Sequence, residues 1–281
     1  MTSESSPQKA PSSFAGIKFL AWALALAMCV LLITPIVGLV WRGTAALGEE
    51  MVLDAQPVWQ AVWLSWRTTA VSMLLVVFLG TPLAYLLARH TFPWKRVLTL
   101  FIELPIVLPP VVAGLALLSA FGRRGLLGMP LAAMGITIPF TWVAVVLAQV
   151  FVASPFYIRA AQLRFAALPR ELEEAAKIDG ADGWRVFWYV IRPLSARPLF
   201  AGLVLSWARA LGEFGATILF AGNLQGRTQT MPLLIYGALE RDLNATYGSA
   251  LILLVMAVLA FALTRWLSQL DEQDADPLAE R

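Results

Sequence analysis

Residues 174–193 read EAAKIDGADGWRVFWYVIRP, a polar stretch in a chain that is 59% hydrophobic. Only 14% of the 281 residues are charged, whereas a soluble domain carries about 25%. Apolar runs of roughly 20 residues lie on both sides of the stretch, and that length crosses the hydrocarbon core of a bilayer. The sequence therefore predicts an all-α integral membrane protein in which residues 174–193 belong to a connection between spans.

Six segments are long and apolar enough to be spans, and they cover residues 17–41, 67–88, 97–121, 136–158, 199–221 and 247–267. The first is longer than the apolar core of a signal peptide, so it is predicted to be a retained helix. Residues 1–16, which begin Ser/Pro-rich, are predicted to be a disordered N-terminus, and residues 269–281 a tail.

The distribution of Lys and Arg predicts the orientation. With the N-terminus inside, 14 of the 21 basic residues are cytoplasmic, and six are outside: Arg42, Arg67, Arg123, Arg124, Arg227 and Arg241. Arg209 remains within a span. This excess predicts that both termini and the quoted stretch face the cytoplasm. It also accounts for the net charge of +3 without nucleic-acid binding.

The first part of the connection has the signals of a short helix. Pro169 suits the first helical position, and Glu171 and Glu173 suit the positive N-terminal end. Gly180 fits the position just past the helix, where a positive φ is needed.

A second helix is predicted from Asp182, a good N-cap residue, to about Ile191, because Pro193 disfavours helical geometry before it. The turn between the helices has small residues, and the second helix carries four aromatic residues. These features fit either the docking of a partner protein or a connection whose aromatic residues lie at the bilayer surface.

The spacing within the stretch also carries a resemblance. It is similar to the EAA-x3-G-x9-I-x-L-P motif of the permease subunits of bacterial ABC importers, with Val190 and Arg192 in place of Ile and Leu. The matching residues are Glu174, Ala175, Ala176, Gly180 and Pro193. The resemblance implies a type I importer permease fold over residues 60–268. It also implies that the connection, residues 169–193 with Ala181 and Asp182 in its turn, is the coupling helix region that docks on an ATPase subunit.

A second resemblance concerns the substrate. The segment WARALGEFGATILFAGNLQGRTQTMPLLIY (207–236) resembles molybdate permeases. Its LGEFGA is shared with the sulfate and thiosulfate branch, whereas FAGN and G-x-TQT-x-PL-x-IY are typical of molybdate permeases. ELPIVLPPVVAGLALL (103–118) is similar to the same oxyanion group. The resemblance does not separate molybdate from tungstate.

The family resemblance implies the partners. They are a second copy of this chain, two cytoplasmic ATP-binding subunits and an external oxyanion-binding protein, assembled in the lipid of a bacterial inner membrane. The chain has no G-x-x-x-x-G-K-[ST] phosphate loop, so ATP and Mg²⁺ are expected on the partner. No catalytic residue, cofactor or metal site is expected here.

The alternatives are a sulfate or thiosulfate permease, a membrane enzyme, or a passive channel. A single histidine, His90, argues against an enzyme, and a channel would need no cytoplasmic dock. The single cysteine, Cys29, allows no intramolecular disulfide.

The candidate pathway residues are Arg209, Glu213 and Thr217. Arg209 and Glu213 lie four apart on one predicted transmembrane helix, so they share a face. They form either a structural ion pair or a substrate contact. Gly212 and Gly215 flank Glu213, which fits plain helix packing, a dimer axis or a pathway.

Two further segments leave alternatives open. Pro105, Pro109 and Pro110 must bend or break the third span, which could line a cavity, act as a gate or follow the bundle's shape. Glu103 in the same span is interpreted as structural. The outer segment 222–246 is polar and is either a solvated loop or a contact for the external binding protein.

Overall fold

The computed structural model describes residues 13–48 and 55–274, with the side chains of 17–48 and 56–262. Its α-helices in chain order are α1 Ser13–Gly48, α2 Ala55–Arg89, α3 Lys95–Val107, α4 Pro110–Phe121, α5 Gly128–Ala133, α6 Trp142–Ala167, α7 Arg170–Ile178, α8 Gly183–Val186, α9 Arg192–Leu211, α10 Gly215–Phe220, α11 Met231–Leu239 and α12 Leu243–Asp274. A π-helical turn, Phe187–Ile191, joins α8 to α9. Within these described ranges every regular element is helical, which confirms the all-α class.

In the part of the chain that the structure describes, four helices, α1, α2, α6 and α12, are long and apolar enough to cross a membrane as single elements. The other two predicted spans are each split, 97–121 into α3 and α4 and 199–221 into α9 and α10. A count of six crossings therefore stays a prediction.

The predicted disorder of residues 1–16 is wrong for 13–16, which are helical, and residues 1–12 lie outside the described part of the chain. The tail is helical as far as Asp274, and 275–281 also lie outside it.

The break in the third segment has a local cause. Leu108 and Pro109 both have extended backbone, with ψ of 130° and 138°. Each precedes a proline, and the proline ring disfavours helical geometry in the residue before it. The predicted break is thus confirmed at Pro109 and Pro110, whereas Pro105 is accommodated inside α3.

The fourth span was predicted too early in the chain. Residues 136–141 are not helical, and Phe140 has a positive φ of 61°. Thr141 then caps α6 by accepting a hydrogen bond from the Ala144 amide at 3.4 Å. The helix continues to Ala167, because Leu168 precedes Pro169 and is extended.

Three helices form the centre of the molecule. α2 packs along α6, α6 packs along α9, and α2 also contacts α9. A buried polar network crosses the α2–α6 interface: Ser72 donates to Gln149 Oε1 at 2.9 Å, and Gln149 Nε2 donates to Thr68 Oγ1 at 3.3 Å. Around this centre, α4 packs on α10, α1 on α12, and α11 on α12 and α2.

The segment 222–246, which the sequence predicted to lie outside, is not simply a solvated loop. It contains α11, whose Met231 and Leu233 are fully buried. The Met231 amide donates to Ser65 Oγ of α2 at 2.8 Å, and Asn223 Nδ2 donates to the Leu233 carbonyl at 3.2 Å. The segment therefore folds back against α2.

The sequence predicted that the second helix of the connection ends near Ile191, but the structure shows that it does not. Pro193 lies in the first turn of α9, so the helical path runs without interruption from Gly183 to Leu211. In an α-helix a proline ring clashes with the carbonyl four residues back. Here the Arg192 amide bonds the Phe187 carbonyl, five residues back, and the wider π turn makes room for the ring.

Candidate functional site

The connection between α6 and α9, residues 169–193, is called the polar loop below. Its first helix, α7, has Glu171 and Glu173 in its first turn and Lys177 in its last turn, which complements the helix dipole. Gly180 follows with φ of 87°. The Ala181 amide bonds the Ala176 carbonyl at 3.0 Å, as expected when a left-handed residue ends a helix.

Asp182 starts the second helix of the polar loop. Its Oδ1 accepts a hydrogen bond from the Arg185 amide at 2.8 Å, which confirms the predicted cap. The predicted order of helix, glycine turn and helix is therefore present, with a tight turn fixed at both ends.

The motif residues divide between two faces of the polar loop. Ala176 and Ala181 pack against the core of the protein, whereas Glu174, Ala175, Gly180, Asp182 and Pro193 are exposed. A Cβ atom added to Gly180 would meet nothing within 4 Å. Large apolar side chains lie exposed nearby, with Ile178 at 86%, Tyr189 at 80% and Trp184 at 69%. The loop thus presents an open, partly apolar surface of the kind that marks either a protein interface or a contact with the membrane surface.

A buried ion pair attaches the polar loop to α2. Arg89, the last residue of α2, pairs with Glu173 of α7, and their side chains are only 8% and 11% exposed. Arg89 also donates to the Leu168 carbonyl at 3.2 Å. Sequence reasoning placed Glu173 at the start of a helix but did not pair it with Arg89, because the two lie far apart in the chain and no local spacing joins them.

A second ion pair lies where α9 ends. Arg209 Nη1 is 2.6 Å from Glu213 Oε2, and the side chains are 31% and 1% exposed. The ion pair, one of the two alternatives for these residues, is present, but the prediction of one continuous helix is wrong. Glu213 lies in the break between α9 and α10, and its Oε1 accepts a hydrogen bond from the Ala216 amide at 2.7 Å. The carboxylate of Glu213 therefore has two roles: one oxygen neutralises Arg209, and the other caps α10.

The neighbours of Glu213 differ in their packing. A Cβ atom at Gly215 would overlap Cβ of Pro110 in α4, whereas a Cβ atom at Gly212 would come no closer than 3.6 Å to any neighbour. Thr217 is fully buried, and its hydroxyl has no hydrogen-bond partner among the described residues. Close helix packing is therefore the role of Gly215, not of Gly212.

Glu103, interpreted as structural, pairs with Arg159 of α6 at 3.3 Å at a partly exposed site. Among the residues whose side chains are described, no group of three or more His, Cys, Asp or Glu could hold a metal ion.

Comparisons with known proteins agree with this arrangement. Residues 80–273 match the family described as binding-protein-dependent transport system inner membrane component. The molybdenum transport system permease protein ModB of Escherichia coli (strain K12) is 39% identical over 223 residues, which are 78% of this chain and 97% of that protein. The protein of the same name from Mycobacterium tuberculosis is 46% identical over 199 residues, which are 71% of this chain and 75% of that protein.

A solved structure shares the fold. A chain in the crystal structure of a bacterial alginate ABC transporter, in complex with an alginate pentasaccharide-bound periplasmic protein, matches with a TM-score of 0.69. The match covers 91% of this chain and 97% of that chain, at 14% sequence identity.

Proposed function

Because this chain belongs to the family of binding-protein-dependent transport system inner membrane components, we propose that it is the permease subunit of an ATP-driven molybdate importer. The observation that carries the substrate is the identity of 39% and 46% to two molybdenum transport permeases, across most of this chain. Tungstate, a dianion of nearly the same size, is expected to share the pathway.

The assembly contains two copies of this chain, two cytoplasmic subunits that bind ATP and Mg²⁺, and an external oxyanion-binding protein. It lies in the inner membrane with both termini of this chain in the cytoplasm. ATP is hydrolysed on the partner subunits, and no covalent step takes place on this chain. The exposed face of the polar loop, around Glu174 and Gly180, supports its role as the dock.

The helical path from α8 to α9 offers a route for the movement. It runs from Gly183 in the polar loop to Leu211 beside the Arg209 ion pair, a length of about 40 Å at 1.5 Å per residue. The backbone is continuously helical over this length, with the π turn and Pro198 within it. A displacement of the polar loop by the ATPase subunits therefore reaches Arg209 and Glu213, and the permease alternates between outward and inward access.

Arg209 is suited to meet the oxyanion. A guanidinium has five N–H donors in a plane, and Glu213 occupies only part of this set. The partial exposure of Arg209 leaves the other donors accessible, whereas Glu213 is buried. Because Glu213 neutralises Arg209, the dianion is held weakly enough to leave again, as transport requires.

Uptake competition tests the substrate. In cells that depend on this importer, excess tungstate should abolish the uptake of labelled molybdate, and excess sulfate should leave it unchanged. The alternative, a sulfate or thiosulfate permease, predicts the opposite pattern. Inhibition by sulfate but not by tungstate would therefore overturn the molybdate assignment.

Substitutions of the second ion pair test the pathway. Arg209→Ala should lower the maximal rate of molybdate uptake by about tenfold or more, because charge-assisted donors to the oxyanion are lost. Glu213→Gln keeps an oxygen that can cap α10 but leaves Arg209 unneutralised, so the half-saturating concentration and the maximal rate should both fall. Kinetics of uptake in proteoliposomes measure both quantities.

Glu103→Gln is the control, since it removes the carboxylate of another ion pair, which lies at a partly exposed site between α3 and α6. It should leave both kinetic constants unchanged. Normal uptake by Arg209→Ala would show that the Arg209–Glu213 pair is purely structural.

A further inference from the structure

The buried Arg89–Glu173 pair is not explained by the docking role of the polar loop. We propose that Arg89 and Glu173 are positioning residues that lock α7 to the end of α2, so that α2 is driven together with the docked loop. This inference rests on the proposed function and adds to it a second mechanical connection, separate from the path through α8 and α9.

The contacts around the pair tie three elements together. Glu173 belongs to α7, Arg89 ends α2, and the Leu168 carbonyl that accepts from Arg89 ends α6. Tyr85, one turn before Arg89 in α2, also lies near Glu173. The joint is thus built from a close contact of opposite charges and a hydrogen bond from Arg89 to a backbone carbonyl, which fix a position more strictly than apolar contacts do.

The surroundings of the pair are apolar. Phe165 and Leu168 are buried beside it, and the ring of Tyr85 packs edge-on against Phe165 at 5.7 Å and against Phe187 at 6.0 Å between centroids. Separating two charges in such a place would leave both largely shielded from water and without an opposite charge, which is costly. The joint therefore stays closed while the loop as a whole is displaced.

Stability alone does not account for a charged pair at this place. Replacement of a buried ion pair by apolar residues of similar volume is often neutral or stabilising, so the pair is better explained by the specific position it enforces. The helix dipole of α7 does not need Glu173 either, because Glu171 lies in the same turn. Glu171 and Glu174 are exposed, which singles out Glu173 as the acidic residue of α7 that faces the core.

The first experiment measures coupling in the complete transporter reconstituted in liposomes with its binding protein. In Glu173→Gln, the ATPase subunits should remain bound and hydrolyse ATP, while molybdate transported per ATP falls by about tenfold. The double variant Arg89→Met with Glu173→Leu should fold, since no charge is left buried, and should show the same fall. Glu103→Gln, which removes the carboxylate of an ion pair outside the polar loop, should be unchanged.

A merely structural role predicts a different result. In that case the double apolar variant would transport as much molybdate per ATP as the unmodified chain, and this result would overturn the proposal. The proposal would also be overturned if molybdate uptake and ATP hydrolysis fell by the same factor in Glu173→Gln.

The second experiment needs no transported substrate. Spin labels at Leu86 of α2 and Leu172 of α7, both exposed, are introduced into a chain whose single cysteine is changed, Cys29→Ser. When the Arg89–Glu173 pair is intact, the distance between the labels should be the same with and without ATP. In Glu173→Gln, the distribution of distances should become broader. A distance that changes with ATP while the pair is intact would refute the lock. If the unmodified complex takes up no molybdate, the proposed substrate is wrong, and this distance still decides the inference.

Discussion

Gly180→Trp should abolish the binding of the ATPase subunits while the chain stays inserted in the membrane. Gly180 is exposed at the tip of the polar loop, and a Cβ atom there would meet nothing within 4 Å. A large side chain would therefore project into the space where the partner is expected to dock. Because the residue lies outside the packed helices, insertion should be unaffected. We expect co-purification of the ATPase subunits to be lost, and titration in detergent to show that the affinity has fallen by far more than about tenfold.

The backbone of Gly180 requires a control, since its φ of 87° is strained for most residues. Gly180→Asn retains much of the left-handed preference and adds a smaller side chain, so it should weaken binding far less than Trp does. Gly183→Ala, also at an open position but without a positive φ, should bind normally. If Gly180→Trp binds the ATPase subunits as tightly as the unmodified chain does, the turn is not part of the docking surface.

Gly215→Ala should have the largest effect on stability. The added Cβ atom would overlap Cβ of Pro110 and lie 3.3 Å from its carbonyl carbon. Neither atom can move without shifting α4 or α10, and overpacking of this kind costs about 1–3 kcal/mol. A Cβ atom at Gly114 on the facing helix would lie 2.9 Å from Cβ of Leu219, so neither helix of this interface has room for an added Cβ atom. Thermal unfolding in detergent should show a clearly lower midpoint.

Gly212→Ala provides the matched comparison for Gly215→Ala. Both glycines adjoin Glu213, but a Cβ atom at Gly212 comes no closer than 3.6 Å to a neighbour. Its unfolding midpoint should equal that of the unmodified chain. If the two variants unfold at the same temperature, the close contact between α4 and α10 does not contribute to stability.

Neighbouring residues were enough to predict the form of the polar loop. The positive φ of Gly180, the cap at Asp182 and the break at Pro109 and Pro110 follow from sterics and hydrogen bonds within a few residues. The Arg209–Glu213 pair was also predictable, because residues four apart lie within reach of each other. The same local reasoning failed at Pro193, where a π turn accommodates a proline that usually ends a helix.

The parts of the candidate site that were not predictable depend on distant segments. Glu213 lies in a helix break because its carboxylate caps α10 and the backbone beyond it packs on Pro110. The polar segment 222–246 folds inward because Ser65 of α2 offers an acceptor for its Met231 amide. Neither of these contacts can be recognised from the spacing of nearby residues or from composition.

By itself the sequence determined that the chain is helical, apolar enough for a membrane, and equipped with a helix–glycine–helix loop on one side, since these properties arise from side-chain hydrophobicity and short-range backbone sterics. Only the tertiary structure decided that Glu173 faces inward to Arg89 while Glu174 faces out, and that one helical path joins the loop to Arg209. These outcomes depend on which distant groups are brought close enough to neutralise a charge or fill a space, and a chain acquires those neighbours only when it packs.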